Sequence, residues 1–405
     1  MTNRKEPEIR FSGFDDAWKQ KKLGEVFNQT VEYVNPNEAN LALWSVTVEN
    51  GLTPKTERYN REALVKKNDK FKVVHVGDIV YNPMNLTIGA VGFNKSNHSV
   101  AVSGYYITMN MNDEFSNSYF SIWLTSPNAI KQYKLYATGS LIEKQRVQFP
   151  ILSLIKTYIP SCKEQEEIGT FFKKIDDAIA LHQQELSTLK QTKQGFLQKM
   201  FPKEGKKVPE IRFPGFTDDW EQRKLGELAE IIGGGTPSTS NIEYWNGDID
   251  WYSPAEIGEQ IYVSGSKKKI TEKGLRKSSA KIHPVGTVLF TSRAGIGNTA
   301  ILAKEGATNQ GFQSIIPKET LLDSYFVFSR THELKRYGEM SGAGSTFVEV
   351  SGKQMAKMPI LVPNFNEQKK IGAFFKQLDN TIALHQRELE LLQATKKAFL
   401  QKMFV

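Results

Sequence analysis

The chain is written twice. Residues Pro7 to Val26 read PEIRFSGFDDAWKQKKLGEV and Pro209 to Leu228 read PEIRFPGFTDDWEQRKLGEL, with 14 of 20 positions identical at an offset of 202. Farther on, Pro160 to Phe201 matches Pro363 to Phe404 at 25 of 42 positions, offset 203. Two collinear matches of that length mark a duplication, and a period near 200 residues is too long for a solenoid. The pattern therefore describes a pair of related domains. Each half has a shared opening, a middle that looks almost unrelated between halves, and a shared closing segment. What is constant reads as scaffold, and what differs reads as surface where the two halves meet different things.

The closing segments have helical period. Ile168, Phe172, Ile175, Ile179, Leu186, Leu189, Phe196 and Met200 alternate by four and three once His182 and Lys193 fill their slots, which is a heptad seam. Ile371, Phe375, Leu378, Ile382, Leu389, Leu392, Phe399 and Met403 repeat it, with His385 and Lys396 in the same polar slots. Two like seams on one chain tend to bury each other. An antiparallel pair of helices, each on the order of 50 Å long at roughly 1.5 Å per residue, is the simplest expectation, and it relates the halves by a pseudo-two-fold axis. The seam histidines are read as register-setting polar residues rather than metal ligands. Glu164, Gln165, Glu367 and Gln368 open the helices as acidic first turns suited to an N-terminus, with no catalytic role. The apolar residues Phe171, Leu197, Phe374, Leu391 and Leu400 lie off the seam and either serve a partner or pack on the variable domains.

The middles hold short β-rich pieces punctuated by turn signals: LALWSVTV, FKVVHVGDIVYN, IGAVGF and SVAVSGYYITMN in the first, DIDWYSPAEI, GTVLFTS, TAILA and FQSIIP in the second, each followed by a helical stretch. Trp44 is aligned with Trp251, and Gly77 to Tyr81 with Gly286 to Phe290. Each domain is expected to be α+β with a small irregular sheet. The expected boundaries are 1–160 for the first variable domain, 161–201 for the first helical region, 202–208 for a Pro, Gly and Lys linker, 209–362 for the second variable domain and 363–405 for the second helix.

Between the strands lie loops dense in hydrogen-bond donors. Arg reads guanine and Asn or Gln reads adenine by paired bonds in the major groove, while Lys more often holds phosphate. On that chemistry the candidate DNA contacts are Arg58, Lys66, Lys67, Asn94, Lys95, Asn97 and His98 in the first domain. In the second they are Lys267, Lys268, Lys269, Arg293, Asn298, Asn309 and Gln310. The same inventory fits ordinary surface loops. Lys and Arg number 53 against 44 Asp and Glu, a net charge of +9, which suits contact with a polyanion. A change of Arg293 is expected to alter base preference in one half-site, and a change among Lys267 to Lys269 to weaken binding to all sequences.

Other chemistries find little support. With 39% hydrophobic and 24% charged residues the chain is neither disordered nor collagenous, and the lone Cys162 allows no internal disulfide and no Cys-rich metal site. A reduced cytoplasm is expected. The start MTNRKEPEIRFSGF has no apolar run behind its basic residues, and no eighteen consecutive apolar residues occur, so neither a signal peptide nor a membrane span is expected. Neither G-x-G-x-x-G nor a P-loop occurs, six histidines are scattered without H-E-x-x-H, and Asn82-Pro83-Met84-Asn85 lacks the second proline and the aromatic of adenine methyltransferases. No metal site and no S-adenosylmethionine site is suggested. A nuclease needs clustered carboxylates; Asp15 with Asp16, Asp218 with Asp219 and Asp248 with Asp250 are the nearest, and all read as caps or surface charges.

The duplicated opening, the two variable domains and the paired helices with EQ-x-x-IG-x-FF and IALHQ resemble the specificity subunit of type I restriction-modification enzymes, across essentially the whole chain. The resemblance implies two tandem α+β target-recognition domains joined by two long helices in an antiparallel coiled coil. It implies a non-catalytic protein that binds double-stranded DNA at a bipartite, asymmetric site. The partners it implies are two modification (methyltransferase) subunits and restriction (translocase/endonuclease) subunits, which would hold the S-adenosylmethionine, ATP and Mg of the complex while this chain binds none. A two-headed adaptor that binds proteins around a coiled-coil core would also explain the repeat, but not the basic balance or the donor-rich loops.

Overall fold

The computed structural model describes residues 6–55, 70–139, 145–258, 260–293, 295–342 and 349–405. The chain divides into two units, Met1–Gln184 with Arg387–Val405, and Glu185–Gln386. Among the described residues no helix is long and apolar enough to cross a membrane.

The first unit carries strands β1 (Lys19–Lys22), β2 (Phe27–Thr30), β3 (Tyr33–Val34), β4 (Trp44–Thr47), β5 (Gly51–Pro54), β6 (Phe71–Val74), β7 (Ile79–Tyr81), β8 (Val91–Phe93), β9 (Val100–Ser103), β10 (Ile107–Met111) and β11 (Lys156–Ile159). They form a four-stranded sheet in the order β2-β10-β7-β8, a three-stranded sheet β3-β6-β9, and the pairs β4-β5 and β1-β11. The second unit carries β12 (Glu221–Lys224), β13 (Ala229–Gly233), β14 (Trp245–Tyr252), β15 (Tyr262–Val263), β16 (Lys268–Ile270), β17 (Ile282–His283), β18 (Val288–Phe290), β19 (Thr299–Leu302), β20 (Gly306–Thr308), β21 (Gln313–Pro317) and β22 (Pro359–Val362). Its sheets run β13-β21-β18-β19-β15 and β16-β14-β20-β17, with the pair β12-β22.

The strands are short and the apolar runs are buried on both faces, as Phe71–Val74 and Thr299–Leu302 show by having every residue buried. Runs of this kind sit inside a core rather than on one face of it. The expected α+β class holds, with two sheets of three to five strands per unit beside the two-stranded ladders, instead of one sheet. β7 and β18 occupy the same place in their sheets, so the alignment of Gly77–Tyr81 with Gly286–Phe290 stands. The alignment of the tryptophans needs a correction of one residue. Leu43 makes the parallel bridge to Ala101 that Trp251 makes to Ala307, which puts Trp44 one step beyond Trp251.

The long helices are Cys162–Lys199 and Phe365–Lys402. In the first unit Phe171 meets Phe399 edge to face at 5.0 Å, Phe172 stacks on Phe404 at 5.8 Å, and Lys396 lies 2.5 Å from Asp176. In the second unit Phe196 meets Phe374 at 5.0 Å, Phe201 stacks on Phe375 at 5.9 Å, and Lys193 lies 2.5 Å from Asp379. As the number rises along one segment it falls along its partner, so the helical segments within each unit are antiparallel. The histidine slots of the seam face carboxylates across the helices: His182 Nδ1 is 3.6 Å from Glu388, and His385 Nδ1 is 3.3 Å from Glu185. Of the off-seam apolar residues, Phe171 and Leu400 pack into the first core and Leu197 and Phe374 into the second. Leu391 stays 68% exposed, alongside Leu181 and Leu384.

The two shared segments of each half meet. Arg10 grips Glu164 with two bonds, Nε to Oε1 at 2.8 Å and Nη2 to Oε2 at 2.9 Å, and also donates to the carbonyl of Asp16. Arg212 grips Glu367 the same way, at 2.7 and 2.8 Å, and donates to the carbonyl of Asp218. Gln165 and Gln368 accept from the backbone N–H of Ser116 and Asp323 and donate to the carbonyls of Pro160 and Pro363. Glu164 and Glu367 are therefore more than first-turn charges: they are buried acceptors in a bidentate clasp. β1 with β11 and β12 with β22 extend that closure as antiparallel ladders. The glycine of each IG pair lets the helix approach, since a Cβ on Gly169 would lie 2.1 Å from Ser118 Oγ and one on Gly372 2.4 Å from Asp323 Oδ1.

Candidate nucleic-acid interface

In the second unit the loops after β18 and after β20 run side by side. Thr291 bridges Phe312, Ser292 N–H donates to the Gly311 carbonyl at 2.8 Å, and Val350 N–H donates to the Ser292 carbonyl at 3.1 Å. This brings Arg293, Asn298, Asn309 and Gln310 to one end of the sheets. Arg293 is exposed and pairs with Glu349 at 2.8 Å. Asn298 is exposed, with its amide 3.4 Å from the Ile257 carbonyl. Asn309 turns the chain by accepting from Gly311 N–H at 2.8 Å, and exposed Gln310 accepts from the Thr236 hydroxyl.

The lysines Lys267, Lys268 and Lys269 lie two strands away, on and before β16. Lys268 Nζ sits 5.8 Å from the centre of the Trp245 ring, while Lys267 offers its backbone N–H to Glu256 at 2.6 Å. Lys269 and Lys304 approach the buried Asp250 at 3.6 and 3.4 Å. Burial works to raise the pKa of Asp250, but bonds from Ser266 and the charges of the two lysines outweigh it and hold that carboxyl below its usual range. Asp250 thus anchors cations; of the other carboxylates considered for a nuclease, Asp16 and Asp218 serve the clasps through their carbonyls, and Asp219 is 3.9 Å from Lys207.

In the first unit Asn94, Lys95, Asn97 and His98 form the turn between β8 and β9. Asn94 is 1% exposed; its amide donates to the carbonyls of Val74 and His98, and its oxygen accepts from Ser96. Its side chain builds the turn and has no donor left for a base. Lys95, Asn97 and His98 are exposed, and His98 bonds Asn97 and meets the edge of Trp44 at 6.3 Å. Arg58, Lys66 and Lys67 lie outside the described residues.

Sequence reasoning passed over a second polar surface in this unit, at the other end of β9. Tyr33 is 54% exposed and Tyr105 41%. Lys70 and Lys72 hold their ammonium groups 5.4 and 5.8 Å from the Tyr33 ring, and Arg146 lies 5.9 Å from the Tyr105 ring. Lys72 also donates to the Tyr106 carbonyl at 2.7 Å, and burial pushes its pKa below the usual lysine value. The tyrosines of SGYY were the available signal: Tyr106 packs on the core of Val74, Val80 and Val100, which leaves Tyr105 outside it.

A profile of the "Type I restriction modification DNA specificity domain" matches residues 15–191 and 217–394. The chain belongs to that family. Relatives in the family include the type I restriction enzyme MjaIX specificity subunit of Methanocaldococcus jannaschii, 36% identical over 190 residues, or 46% of this chain and 44% of that protein. The EcoR124I/EcoR124II specificity subunit of Escherichia coli is 33% identical over 185 residues, 43% of this chain and 45% of that one. The aligned region spans less than half the length of each of these two. Two solved structures share the fold over nearly the full length: the type I restriction-modification system S subunit from M. genitalium, with TM-score 0.63 at 15% identity over 99% of both chains, and the HsdS subunit from Thermoanaerobacter tengcongensis, with TM-score 0.51 at 18% identity over 96% of both.

Proposed function

We propose that this chain is the DNA-reading subunit of a type I restriction-modification complex. Membership of the specificity-domain family carries the reading, and the duplicated scaffold with unlike loops gives it a mechanism. Two unlike readers require a split, asymmetric site, where like readers would require a palindrome. The chain contributes recognition and no catalysis. Phosphate contacts from its basic excess supply position and salt-dependent affinity, and loop donors such as Arg293, Asn298 and Gln310 supply base choice.

Duplex DNA, two modification subunits and restriction subunits are the partners under this reading, in the cytoplasm. The methyl donor, ATP and Mg are assigned to those subunits. The exposed leucines Leu181, Leu384 and Leu391 on the long helices are the apolar positions offered to them. The test is single-molecule sequencing of methylated bases in host DNA with and without the gene. Loss of methylation at one split, asymmetric motif is expected; unchanged methylation in a host with an active modification partner would overturn the reading.

A further inference from the structure

The two units can be superposed residue by residue through their ladders, even where their sequences share nothing. Ile79 pairs with Met109 and Val288 with Ile315, while Val73 pairs with Ala101 and Ile282 with Ala307. Each equation gives the same offset between β9–β10 and β20–β21, so Ser103 corresponds to Asn309. Their turns agree in detail: Ser103 Oγ accepts from Tyr105 N–H and its carbonyl from Tyr106 N–H, as Asn309 accepts from Gly311 and Phe312. Likewise Val147 N–H donates to the Pro83 carbonyl as Val350 N–H does to Ser292, which matches Arg146 with Glu349 and Met84 with Arg293. Gly89 and Gly297, at φ +95° and +98°, close the matching loops.

Carried across that correspondence, the end of the second unit that gathers Arg293, Asn298, Asn309 and Gln310 is, in the first unit, the surface of Tyr33, Lys70, Tyr105 and Arg146, with the buried Lys72 beneath Tyr33. The turn holding Lys95, Asn97 and His98 corresponds instead to the 303–305 turn, where Lys304 is tied to Asp250. Among the described residues neither Lys70 nor Arg146, both exposed, faces a carboxylate in an ion pair, and each sits over or beside an exposed tyrosine. Unpaired cations interleaved with aromatic faces suit a duplex edge, the charge meeting phosphate and the ring meeting sugar or a thymine methyl.

We propose that Tyr33, Lys70, Tyr105 and Arg146 form the DNA-contacting surface of the first unit, and that its 95–98 turn does not touch the bases. The proposal rests on the DNA-reading function above. The experiment selects duplexes from a randomised pool with the full-length chain assembled with its modification subunits, using the variants Lys70→Ala, Tyr105→Ala and Arg146→Ala against Lys95→Ala, Asn97→Ala and His98→Ala. Thermal unfolding confirms that each variant is folded. The first three are expected to weaken binding to the selected duplex about tenfold and to relax the same half of it, with Arg293→Ala relaxing the other half, while the last three stay within about twofold. Losses confined to the 95–98 variants, or no loss from either set, would overturn the proposal and leave DNA reading intact. A wild-type complex that enriches no duplex removes both.

Discussion

At the scale of single residues, the clasps show why an Arg and a Glu some 154 positions apart recur together in both halves. Glu164 is 1% exposed and Arg10 16%, so removing one member strands the other's charge or donors in a dry place. Glu164→Ala is expected to lower stability by about 2–4 kcal/mol in urea unfolding, with the double variant that also removes Arg10 costing much less than the sum of the singles. A buried histidine gives a second expectation. Burial, aided by the charge of Lys281, pushes His283 down to about 4, and its Nδ1 has no partner while Nε2 meets Thr308 Oγ1 at 3.2 Å. The folded pKa lies below the unfolded value, so the neutral ring's contribution is present above about pH 6.5 and is lost as pH falls toward 4. Wild-type stability should drop by about 2 kcal/mol more than that of His283→Gln between pH 7 and pH 5, read from unfolding curves at the two values.

At the scale of elements, the seam was legible from its spacing and the polar slots were legible as polar, but their partners were not. Lys193 and Lys396 occupy equal places in the repeat, yet their carboxylates differ. Asp379 is 6% exposed and also accepts from Tyr325 OH at 2.8 Å, whereas Asp176 is 41% exposed. Asp379→Ala should therefore destabilise by about 2–3 kcal/mol and Asp176→Ala by less than about 1 kcal/mol, a contrast that thermal unfolding of the two variants resolves. Strand existence was legible from β-branched runs between turn signals, including β6, β7, β9, β10, β18 and β19. The short members β15, β16, β17 and β20 were not, since their two or three residues lie outside any longer β-branched run and carry too little periodicity to register. The candidate site was legible in part for the same reason. Arg293, Asn309 and Gln310 lie in loops that the sequence flags by glycine and polarity, and hydrogen bonds between those loops gather them. The Tyr33–Arg146 surface joins residues from four separate stretches, and only the ladder register brings them side by side.

At the scale of the whole molecule, the second unit is one continuous stretch, Glu185–Gln386, while the first is completed by Arg387–Val405. The continuous stretch holds its own clasp, both of its helical segments and the β12-β22 ladder. A fragment of residues 185–386 is expected to unfold cooperatively on its own. A fragment ending at residue 184 lacks Phe404, which stacks on Phe172 and packs against Tyr119, and should bind a hydrophobic dye until a peptide of residues 387–405 is added.

The clasp also makes each middle a replaceable part. Because Arg10 sits against Glu164 and Arg212 against Glu367, each variable stretch enters and leaves its unit at one place, between segments that are nearly alike in both halves. Each stretch is thus flanked on both sides by segments of closely similar amino-acid sequence, alike at 14 of 20 and 25 of 42 positions. Replacing one middle by another between those segments would trade whatever surface it displays and leave the joints that hold the protein together unaltered.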